Sequence, residues 1–168
     1  GVKIFGGWSR GQNGQRSLSL FARGQYGDAE FENTFFDQLS YDEFQGLVLR
    51  NSGQDWMRSS MKDIMLTSLM RGSGMDFQEH IPVATYINGE YWGMYNLREK
   101  TNEHMLASKH NVDADDITIL TNNAEEVEGS NEEYLQLIDY INSTDLSIDE
   151  NFEYIDQQVD LKQYALYQ

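Results

Sequence analysis

The sequence predicts an α+β protein that is rich in strands in its first part and mostly helical in its second. Three observations support this class: short alternating apolar segments fill the first part, an Asn-Gly pair separates two β-rich segments, and helical spacing of apolar residues dominates afterwards. With 168 residues, 39% of them hydrophobic, the chain can bury a substantial core, and this length favours one domain. We therefore predict one domain over residues 1–168, with a strand-rich part at 1–98 and a helical continuation at 99–168.

Two early segments have the pattern of strands. VKIFG, at residues 2–6, is short and apolar, and RSLSLFAR, at residues 16–23, alternates between apolar and polar side chains. Alternation with a period of two predicts that Ser17 and Ser19 lie on the face opposite Leu18, Leu20 and Ala22. The Gly-rich segment GGWSRGQNGQ between them is predicted to be a turn or loop.

A third strand and the first long helix are predicted in the middle of the first part. GLVLR is a short apolar segment, and the Ser/Gly/Asp break after it offers Asp55 as a helix N-cap. A basic last turn and a glycine predict that the helix ends at Arg71-Gly72. The apolar face of this helix is predicted from the spacing of Met57, Met61, Ile64, Met65 and Leu69.

The segment YINGEYWGMYNLREK, at residues 86–100, predicts a β-hairpin followed by a helix. Asn88-Gly89 lies between two β-rich segments, and both central positions of such a turn require a positive φ. Glu99 follows the hairpin, and we expect a helix to begin there and to continue through Met105. Its carboxylate is predicted either to accept hydrogen bonds from a ligand or only to place negative charge in a first helical turn.

The remaining residues predict one strand and several helices. DITIL is a short strand, and the pairs Ser130 with Glu133 and Ser147 with Glu150 match capping boxes at the start of two helices. A last helical pattern, DLKQYALYQ, extends to Gln168. From this pattern we expect that the natural protein continues beyond that residue.

Charge and composition exclude several classes of function. The net charge of −16 is uneven, because residues 1–84 carry eight basic and ten acidic side chains whereas residues 85–168 carry four and eighteen. Such a chain lacks the clustered Lys and Arg that bind phosphate backbones, so we expect no nucleic-acid partner. The absence of cysteine excludes a thiol nucleophile, and no apolar segment is long enough to predict a transmembrane helix.

Motifs for metal ions and for the common hydrolases are missing. His80, His104 and His110 do not have the H-E-x-x-H spacing, and the acidic segment NVDADD lacks the glycine and the final glutamate of a calcium loop. We therefore predict no metal site. Neither a G-x-S-x-G elbow nor a G-x-x-x-x-G-K-[ST] loop is present.

Two polar clusters remain as candidates for ligand binding. In SRGQNGQRS, two glycines allow close backbone approach to a ligand, and Arg10 and Arg16 carry the charge that phosphate oxygens attract; the same segment also fits a purely structural loop. After the third strand, Arg50 is predicted either to pair with a buried carboxylate, Glu99 or Asp63, or to belong to a simple turn.

Four of these segments, in order, resemble the spore-coat protein H (CotH) kinase family. They are WSR, then QRSLSLFAR followed by YG, then LVLRNSGQDW, and finally YINGEYWGMYNLREK. The resemblance covers roughly residues 1–110. Its specificity comes from long segments that match in the right order, above all NGEYWGMYNLRE.

The resemblance implies a secreted or cell-surface protein with an atypical protein-kinase-like fold, whose small lobe is the strand-rich part. It implies transfer of the ATP γ-phosphoryl group to Ser or Thr of a protein substrate, such as a surface or coat protein, with ATP and Mg²⁺ as cofactors. On this template Arg16 stands where the family often has lysine, and Arg10, Arg16, Ser17 and Glu99 are the candidate nucleotide-binding residues.

The catalytic residues of a kinase are not found in the sequence. A kinase needs an aspartate that orients the acceptor hydroxyl, and ligands for Mg²⁺, but no convincing motif for either occurs before Gln168. The chain is then either part of a longer kinase-like protein, inactive by itself, or a form that keeps the scaffold without catalysis. The alternative function is a non-catalytic adhesion module that contacts a protein or glycan through Trp8, Trp56 and Trp92.

Overall fold

The computed structural model describes residues 1–168, except for the side chain of Gln12. It contains two compact units, Gly1–Asn111 and Val112–Gln168. The first is built mainly from antiparallel strands and the second mainly from helices, so the predicted α+β class is confirmed. The single-domain organisation stays a prediction.

The first unit contains seven strands, five of which form its main sheet. The strands are β1 (Val2–Ile4), β2 (Leu18–Phe21), β3 (Phe31–Glu32), β4 (Glu43–Phe44), β5 (Gly46–Arg50), β6 (His80–Ile87) and β7 (Glu90–Glu99). The main sheet has the order β1-β2-β5-β7-β6, and every neighbouring pair is antiparallel. β3 and β4 form a separate two-stranded sheet.

The hairpin predicted around Asn88-Gly89 is confirmed. β6 and β7 pair on either side of these two residues, which have φ values of 52° and 84°. Positive φ at both central positions is the feature of a type I′ turn, whose twist suits the flanking strands. β7 then extends further than the sequence predicts, through Glu99.

Three helices complete the first unit: α1 (Ser9–Gln12), α2 (Lys62–Ser68) and α3 (Glu103–His110). The expectation of a helix from Glu99 is wrong, because that residue pairs in the sheet and α3 has Asn102 as its N-cap. α2 is shorter than predicted and ends before Arg71-Gly72. The prediction of Asp55 as the N-cap is wrong, because Met61 occupies that position; Asp55 lies in a preceding 3₁₀ turn, and its Oδ2 accepts from the N–H groups of Met61 and Lys62.

The two faces of the main sheet differ in character. One face carries the hydrophobic core, in which Leu47 and Leu97 pack against Phe36 and Phe44 from the connection between β2 and β5. Because side chains alternate along a strand, the neighbours of these leucines lie on the opposite face. The strand register places one row across that opposite face, consisting of Lys3, Ser19, Val48, Arg98 and His80.

The second unit contains a hairpin followed by three helices. Its elements are β8 (Ile119–Thr121), β9 (Glu125–Glu128), α4 (Glu132–Ser143), α5 (Asp149–Gln158) and α6 (Leu161–Tyr167). The capping boxes predicted from Ser130 and Ser147 do not form, because the N-cap positions are occupied by Asn131 and Ile148. Asp160 caps α6 by accepting from the Gln163 N–H at 2.9 Å. Within the described part of the chain, no helix has the length and apolarity required to cross a bilayer.

Candidate functional site

A cluster of cations lies on the polar face of the main sheet. Arg98 is on β7, and the same alternation that buries Leu97 and Glu99 on the core side turns Arg98 and the following Lys100 to the polar side. Arg50, at the end of β5, lies on this face as well. Three positive side chains therefore lie on the same face of the sheet, in a chain with a net charge of −16.

Helix α2 supplies the carboxylate of this cluster. Asp63 Oδ2 lies 2.6 Å from Arg98 Nη1 and 2.7 Å from Arg50 Nε, so one oxygen accepts from both arginines. Thr67, one turn later on α2, accepts from Arg98 Nη2 at 3.2 Å. Of the two partners predicted for Arg50, the structure selects Asp63.

Arg98 is the most enclosed member of the cluster. Only 5% of the residue is exposed; burial lowers the pKa of its guanidinium, while the Asp63 carboxylate opposes this shift and Arg50 adds to it. Its Nε is buried and has no hydrogen-bond partner within the described residues. An unpaired buried donor costs free energy, so this atom is a local cost of holding Arg98 within the fold.

Two cavities adjoin the cluster. The first, of about 320 Å³, is lined by Arg98, Lys100, Arg50 and Asp63, together with Phe5, Val48, Gln78 and Thr101. The second, of about 380 Å³, shares Arg50 and Asp63 with the first and adds two further cations, Arg58 and Lys62. Lysine and arginine donors around a concave space are suited to phosphate or carboxylate oxygens.

The predicted residues Arg10, Arg16 and Ser17 lie elsewhere. Arg10 is exposed on α1, and Arg16 is exposed just before β2, where its carbonyl oxygen accepts from the Tyr95 hydroxyl at 2.8 Å. Ser17 is buried and bonds to Asn51 through both its hydroxyl hydrogen and its oxygen. None of these three residues lines the 320 Å³ cavity, and their role in nucleotide binding stays a prediction.

Glu99 belongs to a different, buried cluster on the core side. It is 1% exposed; Oε1 accepts from the Tyr41 hydroxyl, and Oε2 lies 2.7 Å from the Glu79 amide nitrogen and 3.0 Å from Lys109 Nζ. Burial, followed by the hydrogen bond to Glu99, raises the pKa of Tyr41 well above its usual range. The idea that Glu99 enriches a first helical turn is wrong, because it is the last residue of β7.

Sequence reasoning named most members of the cation cluster without bringing them together. Asp63 is one of the two carboxylates that the sequence offers to Arg50, and Arg98 and Lys100 belong to the segment YINGEYWGMYNLREK. β7 continues through Arg98 to Glu99, and the strand period of two then places Arg98 and Lys100 on the face of Arg50. Among the described residues, no group of three or more His, Cys, Asp or Glu side chains has an arrangement that would hold a metal ion.

Comparison with known proteins gives one match. A family model described as CotH kinase protein matches residues 2–168, and therefore extends through the second unit as well as the first. No curated protein and no solved structure matches the chain.

Proposed function

Because the chain belongs to the CotH kinase family, we propose that it forms the nucleotide-binding part of a secreted or cell-surface protein kinase. The reaction proposed is transfer of the ATP γ-phosphoryl group to a serine or threonine of a protein substrate, with Mg²⁺ as the metal ion. Family membership supports the kinase-like character, and the cation cluster supports the nucleotide.

The observation that carries this proposal is that Arg98, Arg50 and Lys100 all line one cavity of about 320 Å³. The triphosphate of ATP is strongly anionic and offers only acceptor oxygens toward protein, so three cations around one cavity fit it chemically. Their attraction is stronger here than at an open surface, because the protein around Arg98 screens charge less than water does.

Asp63 has a positioning role in this scheme. Its single oxygen holds both guanidinium groups in place, so the arginines need little reorganisation when phosphate oxygens arrive. If ATP is bound here, it would supply the phosphoryl group, and Mg²⁺ would neutralise part of its charge. We assign no residue of this chain to Mg²⁺ or to orientation of the acceptor hydroxyl, so we expect nucleotide binding without turnover.

The test is calorimetric titration of the chain with Mg²⁺·ATP. Lys100 is the best variant because it has no carboxylate partner within 4.0 Å among the described residues, so Lys100→Ala leaves the Asp63 contacts intact. Loss of one charge-assisted contact predicts about a tenfold weaker affinity. Arg23→Ala removes an exposed arginine that lines neither cavity and should leave the affinity unchanged.

Arg16→Ala completes the experiment, because it tests the position predicted from the sequence. If Arg16→Ala weakens the affinity for Mg²⁺·ATP and Lys100→Ala does not, the result would indicate that the nucleotide binds at the Gly-rich segment. A folded chain that does not respond to nucleotide at all would contradict the proposal and favour the alternative, a surface adhesion module. The exposure of Trp8 and Trp92, 65% and 50%, is the observation that favours this alternative.

A further inference from the structure

The cavity of about 380 Å³ beside the cation cluster is lined by an exposed indole ring. Trp8 forms part of its wall, and 65% of this residue is exposed. The cavity shares Arg50 and Asp63 with the cavity of about 320 Å³ that Lys100 lines, so the two spaces meet at these shared residues. A ligand that occupies both cavities therefore has one end beside Trp8 and the other end beside Lys100.

Two glycines leave the wall next to this indole ring open. Gly6 and Gly7 directly precede Trp8 and also line the cavity. Gly6 has a φ of 102°, which residues with a side chain rarely adopt, and a Cβ built on Gly7 would meet no atom within 4 Å. The chain therefore leaves space beside the indole ring, as a second planar ring needs in order to stack on it.

The charges of this cavity suit the phosphates that follow a base. Arg58 and Lys62 line it, and within the described structure neither lies within 4.0 Å of a carboxylate. The carboxylates that line it are already bonded, because Asp63 Oδ2 accepts from two arginines and Asp55 Oδ2 accepts from the N–H groups of Met61 and Lys62. The groups left for a ligand are cations and an indole ring, which complement the phosphates and the base of a nucleotide.

We propose that Trp8 stacks on the base of the nucleotide, while the phosphates extend past Arg50 to Lys100. This inference rests on the proposed function and names its substrate class. Stacking on an aromatic side chain tolerates every base, because each base has a π face, and a larger ring system gives more contact area. With its carboxylates engaged, the cavity holds a purine by contact area and not by a carboxylate that selects guanine. The substrate class is therefore purine nucleoside triphosphates, with ATP and GTP as equivalent members.

Calorimetric titration with four ligands, each as its Mg²⁺ complex, tests the substrate class. The ligands are ATP, GTP, CTP and ribose 5-triphosphate, which keeps the sugar and the phosphates of ATP and lacks only the base. ATP and GTP should bind within about threefold of each other, because stacking does not distinguish the two purines. CTP has a single ring and should bind at least about threefold more weakly than ATP, and ribose 5-triphosphate at least about tenfold more weakly.

Two variants and one control test the role of Trp8. Trp8→Ala removes the ring, so ATP and GTP should bind about tenfold more weakly, whereas ribose 5-triphosphate should bind as it does to the wild-type chain. A purely structural role of Trp8 would instead weaken all these ligands alike. Trp8→Phe keeps an aromatic face and should restore most of the affinity for ATP. Trp92→Ala is the matched control, because Trp92 is 50% exposed on β7 and lines neither cavity, and it should leave every affinity unchanged.

Three results would overturn this inference. They are an affinity for ATP that Trp8→Ala does not alter, ribose 5-triphosphate that binds as tightly as ATP, and GTP that binds at least about tenfold more weakly than ATP. The last result would mean that directional hydrogen bonds select the base. In all three cases ATP still binds, so the proposed function stands. A folded chain that binds none of the four ligands would contradict the proposed function itself, and this inference with it.

Discussion

Asp63 and Arg98 join helix α2 to the middle of the main sheet. The distance from Asp63 Oδ2 to Arg98 Nη1 is 2.6 Å, and the same oxygen also contacts Arg50. The side chain of Arg98 is only 6% exposed, whereas that of Asp63 is 26% exposed. This contact is therefore the main compensation for a charge that the sheet has buried.

Asp63→Asn should destabilise the first unit. The change leaves two arginines without their carboxylate, and removing one partner of a largely buried ion pair costs about 3 kcal/mol. Urea unfolding measures this loss as a lower midpoint with an unchanged slope. Asp37→Asn, at an exposed residue without an ion pair in the described structure, should change the free energy of unfolding by less than about 0.5 kcal/mol. Equal effects of the two variants would contradict the bridging role of Asp63.

The pair formed by Glu99 and Lys109 should show strong coupling. Lys109→Met leaves a buried carboxylate without its cation and should lower the free energy of unfolding by about 3 kcal/mol or more. Glu99→Gln removes the charge but also weakens the contact with Tyr41. In a double-mutant cycle the combined variant should lose clearly less than the sum of the single losses. Additive losses would mean that the two charges act independently.

Asp55 should make the start of α2 sensitive to acid. Hydrogen bonds from the Ser59 hydroxyl and then from the Lys62 amide lower the pKa of Asp55 below its ordinary value of 3.8. A lowered pKa means that the carboxylate stabilises the fold above the ordinary value and that this stabilisation is lost as the pH falls through the lower folded value.

The expected result is a pH-dependent difference between the wild-type chain and Asp55→Asn. The difference in thermal stability should be largest near neutral pH and should shrink below about pH 4. Asp28→Asn, at an exposed residue, serves as the matched control and should show no comparable trend. A difference for Asp55→Asn that stays constant from neutral to strongly acidic pH would rule out the capping role.

Two glycines provide a test of backbone conformation. Gly89 has a φ of 84° in the β6–β7 turn, so Gly89→Ala should cost about 1 kcal/mol through strain in the left-handed region. Gly11 lies in α1, and a Cβ there would meet no atom within 4 Å. Gly11→Ala should therefore be neutral or slightly stabilising. Thermal unfolding of both variants measures these two effects. A destabilised Gly11→Ala together with an unaffected Gly89→Ala would contradict the assignment of the turn.

The sequence predicts the fold well where local rules decide the outcome. The turn at Asn88-Gly89 needs only two residues that accept positive φ, and the alternation around Ser17 and Ser19 needs only the strand period. The limits of α2 and of β7 were less predictable, because distant partners determine them. Asp55 caps α2 from outside the helix, and pairing with β5 keeps Glu99 extended although it precedes good helix formers.

The candidate site was harder to predict for the same reason. Arg50, Asp63 and Arg98 are far apart in sequence, and only the register of β5 with β7 and the packing of α2 bring them together. A single sequence gives no such register. The Gly-rich segment with Arg10 and Arg16 has a stronger local pattern, yet the structure leaves both side chains exposed.

The position of β5 has a consequence for how the chain folds. β5 pairs with β2 on one side and with β7 on the other, whereas β6 and β7 are joined by a tight turn and can pair by themselves. During synthesis β5 therefore has one unpaired edge until the ribosome has released the residues up to Glu99. The unpaired edge of a central strand can pair with strands of other chains. The rate at which the β6–β7 hairpin docks on β5 therefore determines how long each newly made molecule can aggregate.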